Sequence, residues 1–226
     1  MKYAPFFLAL AFALSPFLTD SFGGFAPDAF PVPQEDPPTQ PAGYAFAIWG
    51  LIYLWLIVHG AVGTRRDNPD WGATRLPLSL SLGVGVFWIP VANLSPIWAT
   101  VLIWIMLGTA LAALLRAGRS EPLLLDTPLG LYAGWLTAAS SVSLGLLAGG
   151  WGLTGPVPAA ILAILVALVV GLVILSRRPS WGYTAALIWA LVALVVQNLG
   201  TSPLVAGLSG LGALAVLGYQ FKQSRA

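Results

Sequence analysis

Charge is what this chain has least of: only 8% of its 226 residues are Asp, Glu, Lys or Arg, where a soluble domain carries about a quarter. With 58% of the residues hydrophobic, the missing charge excludes an ordinary water-soluble domain. Cysteine is absent altogether, which excludes disulfides, thiolate metal sites and cysteine nucleophiles, and leaves the redox compartment unreadable. Histidine occurs once, as His59, and metal sites need several ligands, so no metal cluster can be assembled around it. No nucleophile and base pair and no phosphate loop stand out either, so an enzyme is not expected. The net charge of +2 does not point to nucleic acid, because with so few charges their placement matters more than their sum.

What is present is a succession of apolar runs. An apolar helix needs roughly 20 residues to cross the hydrocarbon of a bilayer. Cutting the chain at polar and Pro/Gly-rich breaks gives eight candidate spans: Tyr3 to Thr19, Gly43 to Gly63, Pro77 to Asn93, Pro96 to Leu115, Leu123 to Leu147, Val157 to Ser176, Trp181 to Gln197 and Pro203 to Tyr219. The expected fold is therefore all-α, a polytopic transmembrane helix bundle. The third and seventh runs are short for a span and need a thin bilayer or flanking residues. The first run, with Lys2 ahead of it and Ala11-Phe12-Ala13 within it, has some anatomy of a signal peptide. It stays apolar to Leu18 and its small-residue site comes early, so it is expected to be a retained helix.

Charge placement tests the span count independently, since Lys and Arg concentrate in cytoplasmic loops. Lys2, then Arg65, Arg66 and Arg75, then Arg116 and Arg119, then Arg177 and Arg178, and finally Lys222 and Arg225 all fall on one side of the eight spans. The opposite loops hold Asp20, Asp28, Glu35 and Asp36 or no charge. Both termini are thus expected to be cytoplasmic. The one long outer loop, residues 20–42, contains Pro27, Pro31, Pro33, Pro37, Pro38 and Pro41. These prolines favour extended and turn geometry, and predict a cap without helices or strands of its own. Phe22, Phe25 and Phe30 point to a loop folded back on the bundle, since a solvated linker has little use for them.

Few side chains could carry proton chemistry. His59, near the inner end of the second span, reads more readily as an interfacial or capping side chain than as a proton carrier. Asp126 is the acid most nearly inside a span, and an intramembrane carboxylate is a functional hypothesis by default. Its five-residue distance from Glu121 is only about 7.5 Å along a helix, so reaching the interface or pairing with Arg116 or Arg119 is the stronger expectation. Without a second acid or base in the hydrocarbon zone, an ion-coupled pump lacks its relay.

Tryptophan, by contrast, is abundant, with ten in the chain. Trp71, Trp151 and Trp181 fall at span ends or in loops, where an indole suits the headgroup region. Trp49, Trp88 and Trp98 fit interface belts, whereas Trp55, Trp104, Trp135 and Trp189 lie deeper. Helical spacing pairs Trp49 with Tyr53, Trp55 with His59, and Tyr132 with Trp135. These aromatics are either lipid-facing bulk or the wall of a pocket for a flat apolar ligand. Ser140, Ser141, Ser143, Asn93 and Ser95 offer neutral hydrogen-bonding groups nearby, though small hydroxyls are also ordinary packing residues between membrane helices. Pro90 should kink the third helix and open space beside it.

The segment PPTQPAGYAFAIWGLIY, with Pro41, Trp49 and Tyr53, resembles the TspO/translocator-protein family of tryptophan-rich sensory proteins. In that family a proline-rich loop leads into a helix carrying Trp and, four residues on, Tyr. Tyr132, Trp135 and Ala139 in LYAGWLTAA match the family's fifth helix, and VFWIPVANLSPIW is similar to its Asn and Trp stretch. The chain departs from the pattern in lacking the Trp that opens the loop motif, in carrying Phe46 one position early, and in holding Leu131 and Ser143 where the family has Pro and Asn. The resemblance covers roughly residues 1–150, a five-helix membrane unit. Residues 151–226 form a three-helix extension, whose Ala206, Gly207, Gly210 and Gly212 suit close packing; it could enlarge the bundle, occupy the family's dimer face or dock on another subunit. The resemblance implies a pocket capped by loop 20–42 that binds a tetrapyrrole such as a porphyrin, or another flat hydrophobic molecule, in a sensory, regulatory or transport role. Pro41 would shape its lid, and Trp49, Tyr53, Tyr132, Trp135 and Ala139 would line it. Two further readings are a structural or assembly subunit of a larger membrane complex and a small-molecule permease without ion coupling. The expected surroundings are a lipid bilayer of the bacterial inner-membrane type, with a homodimer as one possible assembly.

Overall fold

The computed structural model describes residues 1–19 and 22–225; the acidic outer-side position Asp20 lies outside the described residues. Among those described there are eight α-helices and no strand. They are α1 (Ala4–Leu18), α2 (Ile48–Gly63), α3 (Pro69–Leu94), α4 (Pro96–Arg116), α5 (Thr127–Gly150), α6 (Pro156–Arg177), α7 (Trp181–Asn198) and α8 (Pro203–Arg225). Five of these starts are signalled by proline in the first turn, where the missing N–H costs nothing. At α3 and α4 a side-chain cap precedes the proline: Asn68 accepts from the Trp71 N–H at 3.1 Å and Ser95 from the Trp98 N–H at 3.4 Å. Seven helical stretches are long and apolar enough to cross a membrane, so the chain is a polytopic membrane bundle.

Three boundaries differ from the sequence reading. α1 has 15 residues, about 22 Å of rise against roughly 30 Å of hydrocarbon, so it is apolar but short. α3 is not the short run from Pro77 but a helix of 26 residues from Pro69. Its first two turns hold Asp70 and Arg75, whose polarity hid them from an apolar count. The outer loop also contains a single 3₁₀ turn, Pro27–Ala29, and a second one, Gly43–Ala47, runs directly into α2.

The helices close into two rings that share one member. α1, α2, α5, α4 and α3 follow each other around the first ring, and α5, α6, α8 and α7 around the second. α5 is the common wall, and 72% of its most apolar window is buried, against 33% for the stretch Gly43–Gly63. A helix that is apolar all round suits such a position. Its crossing with α7 is backbone to backbone. A Cβ on Gly130 would come within 2.7 Å of the Tyr183 nitrogen, one on Gly134 within 3.0 Å of the Tyr183 Cα, and one on Gly182 would strike the Thr127 carbonyl. Small residues four apart give membrane helices this approach. The Tyr183 hydroxyl meets Thr137 Oγ1 at 2.8 Å beside the crossing.

All the ion pairs among the described residues gather at one end, which identifies it as the end holding the cations and both termini. Lys2 reaches Asp67 at 3.1 Å, Arg66 reaches Glu121 at 2.8 Å and Arg178 reaches Asp126 at 2.9 Å. The expected partners of Asp126, Arg116 and Arg119, are therefore replaced by Arg178 and by the Ser180 hydroxyl, which donates to it at 2.7 Å. The reason is local: residues Pro122–Asp126 form a π-helical turn ahead of α5, which turns Asp126 towards the start of α7. Consecutive carbonyls of that turn take the Trp55 indole N–H at 3.1 Å and meet His59 Nδ1 at 2.9 Å. Trp71 is not the headgroup anchor expected of it. It is 1% exposed, stacks on His59 at 4.7 Å between centroids and donates its indole N–H to Glu121 at 2.9 Å. His59 is likewise buried rather than interfacial.

Glu121 therefore accepts from both Arg66 and Trp71, and these bonds to the charged form hold its carboxyl below the ordinary range, the Arg66 bond contributing most. A depressed carboxylate stabilises the fold fully above its unfolded value, near 4.3, and the contribution is lost as pH falls through the lower folded value. Thermal unfolding in detergent should accordingly weaken as pH is lowered from 5 through the carboxylate range, and Glu121→Gln should flatten part of that slope. An identical acid profile in Glu121→Gln and wild type would contradict the assignment.

Candidate functional site

Two cavities open inside the bundle. The larger encloses about 890 Å³ counting its mouth, within the size range of small-molecule sites. A single stripe of α5, formed by Trp135, Ala138, Ala139, Val142 and Leu146 with Ser143 beside it, makes one wall. Ala163, Ile164 and Ala167 of α6 and Leu187, Ala190, Leu191 and Leu194 of α7 make the facing walls. The outer loop supplies the roof through Phe22, Gly24, Phe25, Gln40 and Pro41. The smaller cavity, about 700 Å³, lies within the five-helix ring between Phe12 and Pro16 of α1, Tyr53 of α2, Ile89 of α3 and Met106 of α4. Phe22, Phe46, Trp49, Trp88 and Ile103 border both cavities and form the partition between them.

The roof is an ordered structure. The Val32 N–H donates to the Gly150 carbonyl at 2.9 Å, the Asn198 amide to the Pro38 carbonyl at 3.0 Å and the Ala42 N–H to the Ala193 carbonyl at 3.2 Å. Phe30 is 5% exposed and packs where a Cβ on Gly150 would come within 2.6 Å of its ring. Phe22 packs edge-on to Phe25 at 5.1 Å and to Trp88 at 4.8 Å, and Phe25 to Phe30 at 5.6 Å. The three phenylalanines of the loop thus fold it back on the bundle. Gly24 has φ +125° and faces Gln40, whose amide would lie 2.9 Å from an added Cβ, so glycine is needed there on both counts.

The residues singled out in the sequence divide between the cavities. Pro41, Trp49, Trp135 and Ala139 line the larger one, while Tyr53 lines only the smaller. Tyr132 lines neither. Its ring is fully buried behind the wall and its hydroxyl meets Ser81 Oγ at 2.9 Å, so it is a strut between α5 and α3 rather than a wall residue. Trp49 stacks on Tyr53 at 5.2 Å and stands edge-on to Trp135 at 6.2 Å. The serines of α5 are largely spent inside the bundle: Ser140 donates to the Ile103 carbonyl, Ser141 to Thr137 and Ser143 to Ser140. The Trp135 indole N–H, by contrast, is buried without a partner, and an unpaired buried donor costs about 1–3 kcal/mol.

Sequence reasoning passed over Trp88, Gln40 and the whole contribution of α6 and α7. Trp88 reads as an interface residue, yet its N–H is bound to the Ala99 carbonyl at 2.9 Å and its ring borders both cavities. The helical repeat of Ala163 with Ala167, and of Ala190 with Leu194, was the available signal for a concave face on α6 and α7.

No curated protein and no solved structure matches this chain. A family model described as TSPO-like protein matches residues 34–221, from the outer loop through most of α8 and so across both rings. That match covers most of the chain, which belongs to the TSPO-like protein family.

Proposed function

We propose that this protein binds a flat hydrophobic ligand of the tetrapyrrole kind in the larger cavity, and that it serves a sensory, regulatory or transport role. The observation that carries the reading is Trp135: a buried indole on the cavity wall whose N–H has no partner, edge-on to Trp49 and Phe46. A planar apolar ring system bearing a hydrogen-bond acceptor supplies what that wall lacks, with surfaces for aromatic contact and a partner for the donor. Gln40 in the roof adds a second polar group at the mouth. On this reading the division at residue 150 separates a five-helix unit from a three-helix addition that furnishes walls of the same cavity. The membrane is of the bacterial inner type, with the cationic end cytoplasmic.

Protoporphyrin added to the purified protein should quench tryptophan fluorescence saturably. Trp135→Phe combined with Trp49→Phe should raise the half-saturation concentration by about tenfold, the order expected for one hydrogen bond and one aromatic contact. Wild-type protein with no saturable binding of any tetrapyrrole would rule the proposal out.

A further inference from the structure

The smaller cavity differs chemically from the larger one. Its walls are apolar and aromatic, no charged side chain borders it, and the two tryptophans on it, Trp49 and Trp88, belong to the partition. The Trp88 N–H is already bound to the Ala99 carbonyl. Tyr53 brings a hydroxyl to this cavity alone, held in place by the stack of its ring on Trp49 and its edge contact with Phe12 at 5.1 Å. That hydroxyl makes no hydrogen bond to any described residue. The cavity also lies on the side where cover is thinnest. α1 stops at Leu18 after 15 residues, and Phe17 and Leu18, just beyond the cavity residue Pro16, are 83% and 80% exposed to the surrounding lipid zone.

From this geometry we infer a second binding site, inside the five-helix ring, for a neutral amphiphile with one hydroxyl head and a long apolar body, taken up from the bilayer. The Tyr53 hydroxyl pairs with the head, and Phe12, Ile89 and Met106 enclose the chain. A charged head has no counter-charge in this cavity and would be held at the interface instead. The site does not depend on what the larger cavity binds, although the two share a wall.

The test uses the full chain in detergent with dibrominated stearyl alcohol as probe, because bromine quenches the tryptophans of the partition on contact. Quenching should saturate in the wild type. Tyr53→Phe should raise the half-saturation concentration roughly fivefold, the worth of one neutral hydrogen bond, while the matching dibrominated alkane, which has no hydroxyl, should bind both proteins alike. Ile89→Phe should fill the cavity and abolish saturation by both probes. Tyr53→Phe removes only an oxygen with no partner in the fold, so it decides the question even where Ile89→Phe does not yield folded protein. Equal affinity of the alcohol for wild type and Tyr53→Phe, or quenching that rises without saturation, would overturn the inference. A protoporphyrin titration on the same samples separates the two sites: its failure leaves the alcohol result standing, and the reverse.

Discussion

Gly134→Leu should yield no monodisperse protein after solubilisation, the largest effect expected of any single change in this chain. The side chain would be driven into the Tyr183 carbonyl and lie within 3.1 Å of the Ala186 Cβ, and a helix backbone cannot step aside as a flexible side chain can. Even Gly134→Ala puts a methyl against backbone, at the upper end of the 1–3 kcal/mol usual for overpacking, and should lower the melting temperature clearly. The consequence reaches beyond the α5–α7 contact, because α5 closes both rings. Gly108→Leu is the control: nothing lies within 4 Å of its added Cβ, so it should purify and melt like wild type. Size-exclusion profiles and thermal unfolding of the three variants read the outcome. A well-folded Gly134→Leu protein would show that the crossing is not as close as described.

Arg178→Ala is the second. The guanidinium is 7% exposed and serves three acceptors at once: Asp126 at 2.9 Å, and the carbonyls of Ala117 at 2.6 Å and Gly118 at 3.0 Å. Removing it strands a carboxylate whose side chain is only 15% exposed, and breaking a buried pair from one side costs about 3–5 kcal/mol. Arg178→Lys should rescue little, since an ammonium cannot reproduce the planar fork that joins the carboxylate to two separate carbonyls. Replacing both partners, Arg178→Leu with Asp126→Leu, should cost less than the two single changes summed, because neither charge is then left alone. Strict additivity in that cycle would mean the pair is not coupled. The pair also explains why an acid near the start of a membrane helix carries no transport role here: Asp126 fastens the loop before α5 to the loop before α7.

Much of this architecture could be read from the chain. Helix starts at Pro96, Pro156 and Pro203 were legible because proline both breaks the preceding segment and fits the first turn. The one-sided cations were legible because loop charge follows the membrane normal, which the order of spans fixes. The folded-back outer loop could be anticipated from Phe22, Phe25 and Phe30, since aromatic rings in a solvated linker would have nothing to pack on. The first turns of α3 were not, because an apolar count cannot see a helix that leaves the hydrocarbon while still helical. Trp71 misled for a related reason. An indole at a span end is equally suited to the headgroups and to a buried carboxylate, and only the position of Glu121 decides between them.

The candidate site was half legible. Pro41, Trp49, Trp135 and Ala139 stand on its wall, while Tyr53 and Tyr132, each one helical turn or less from a wall residue, face elsewhere. A helix turns about 100° per residue, so residues three or four apart share a face only approximately, and a neighbouring helix decides which of them meets space. What the sequence determined by itself is the all-helical membrane fold, the side that carries the charge and the abundance of aromatic surface, because these follow from local composition and periodicity. The pairing of Arg178 with Asp126, the burial of Trp71, the sharing of α5 between two rings and the partition into two cavities were decided only by tertiary packing, since each depends on residues some fifty or more positions apart coming within a few ångströms.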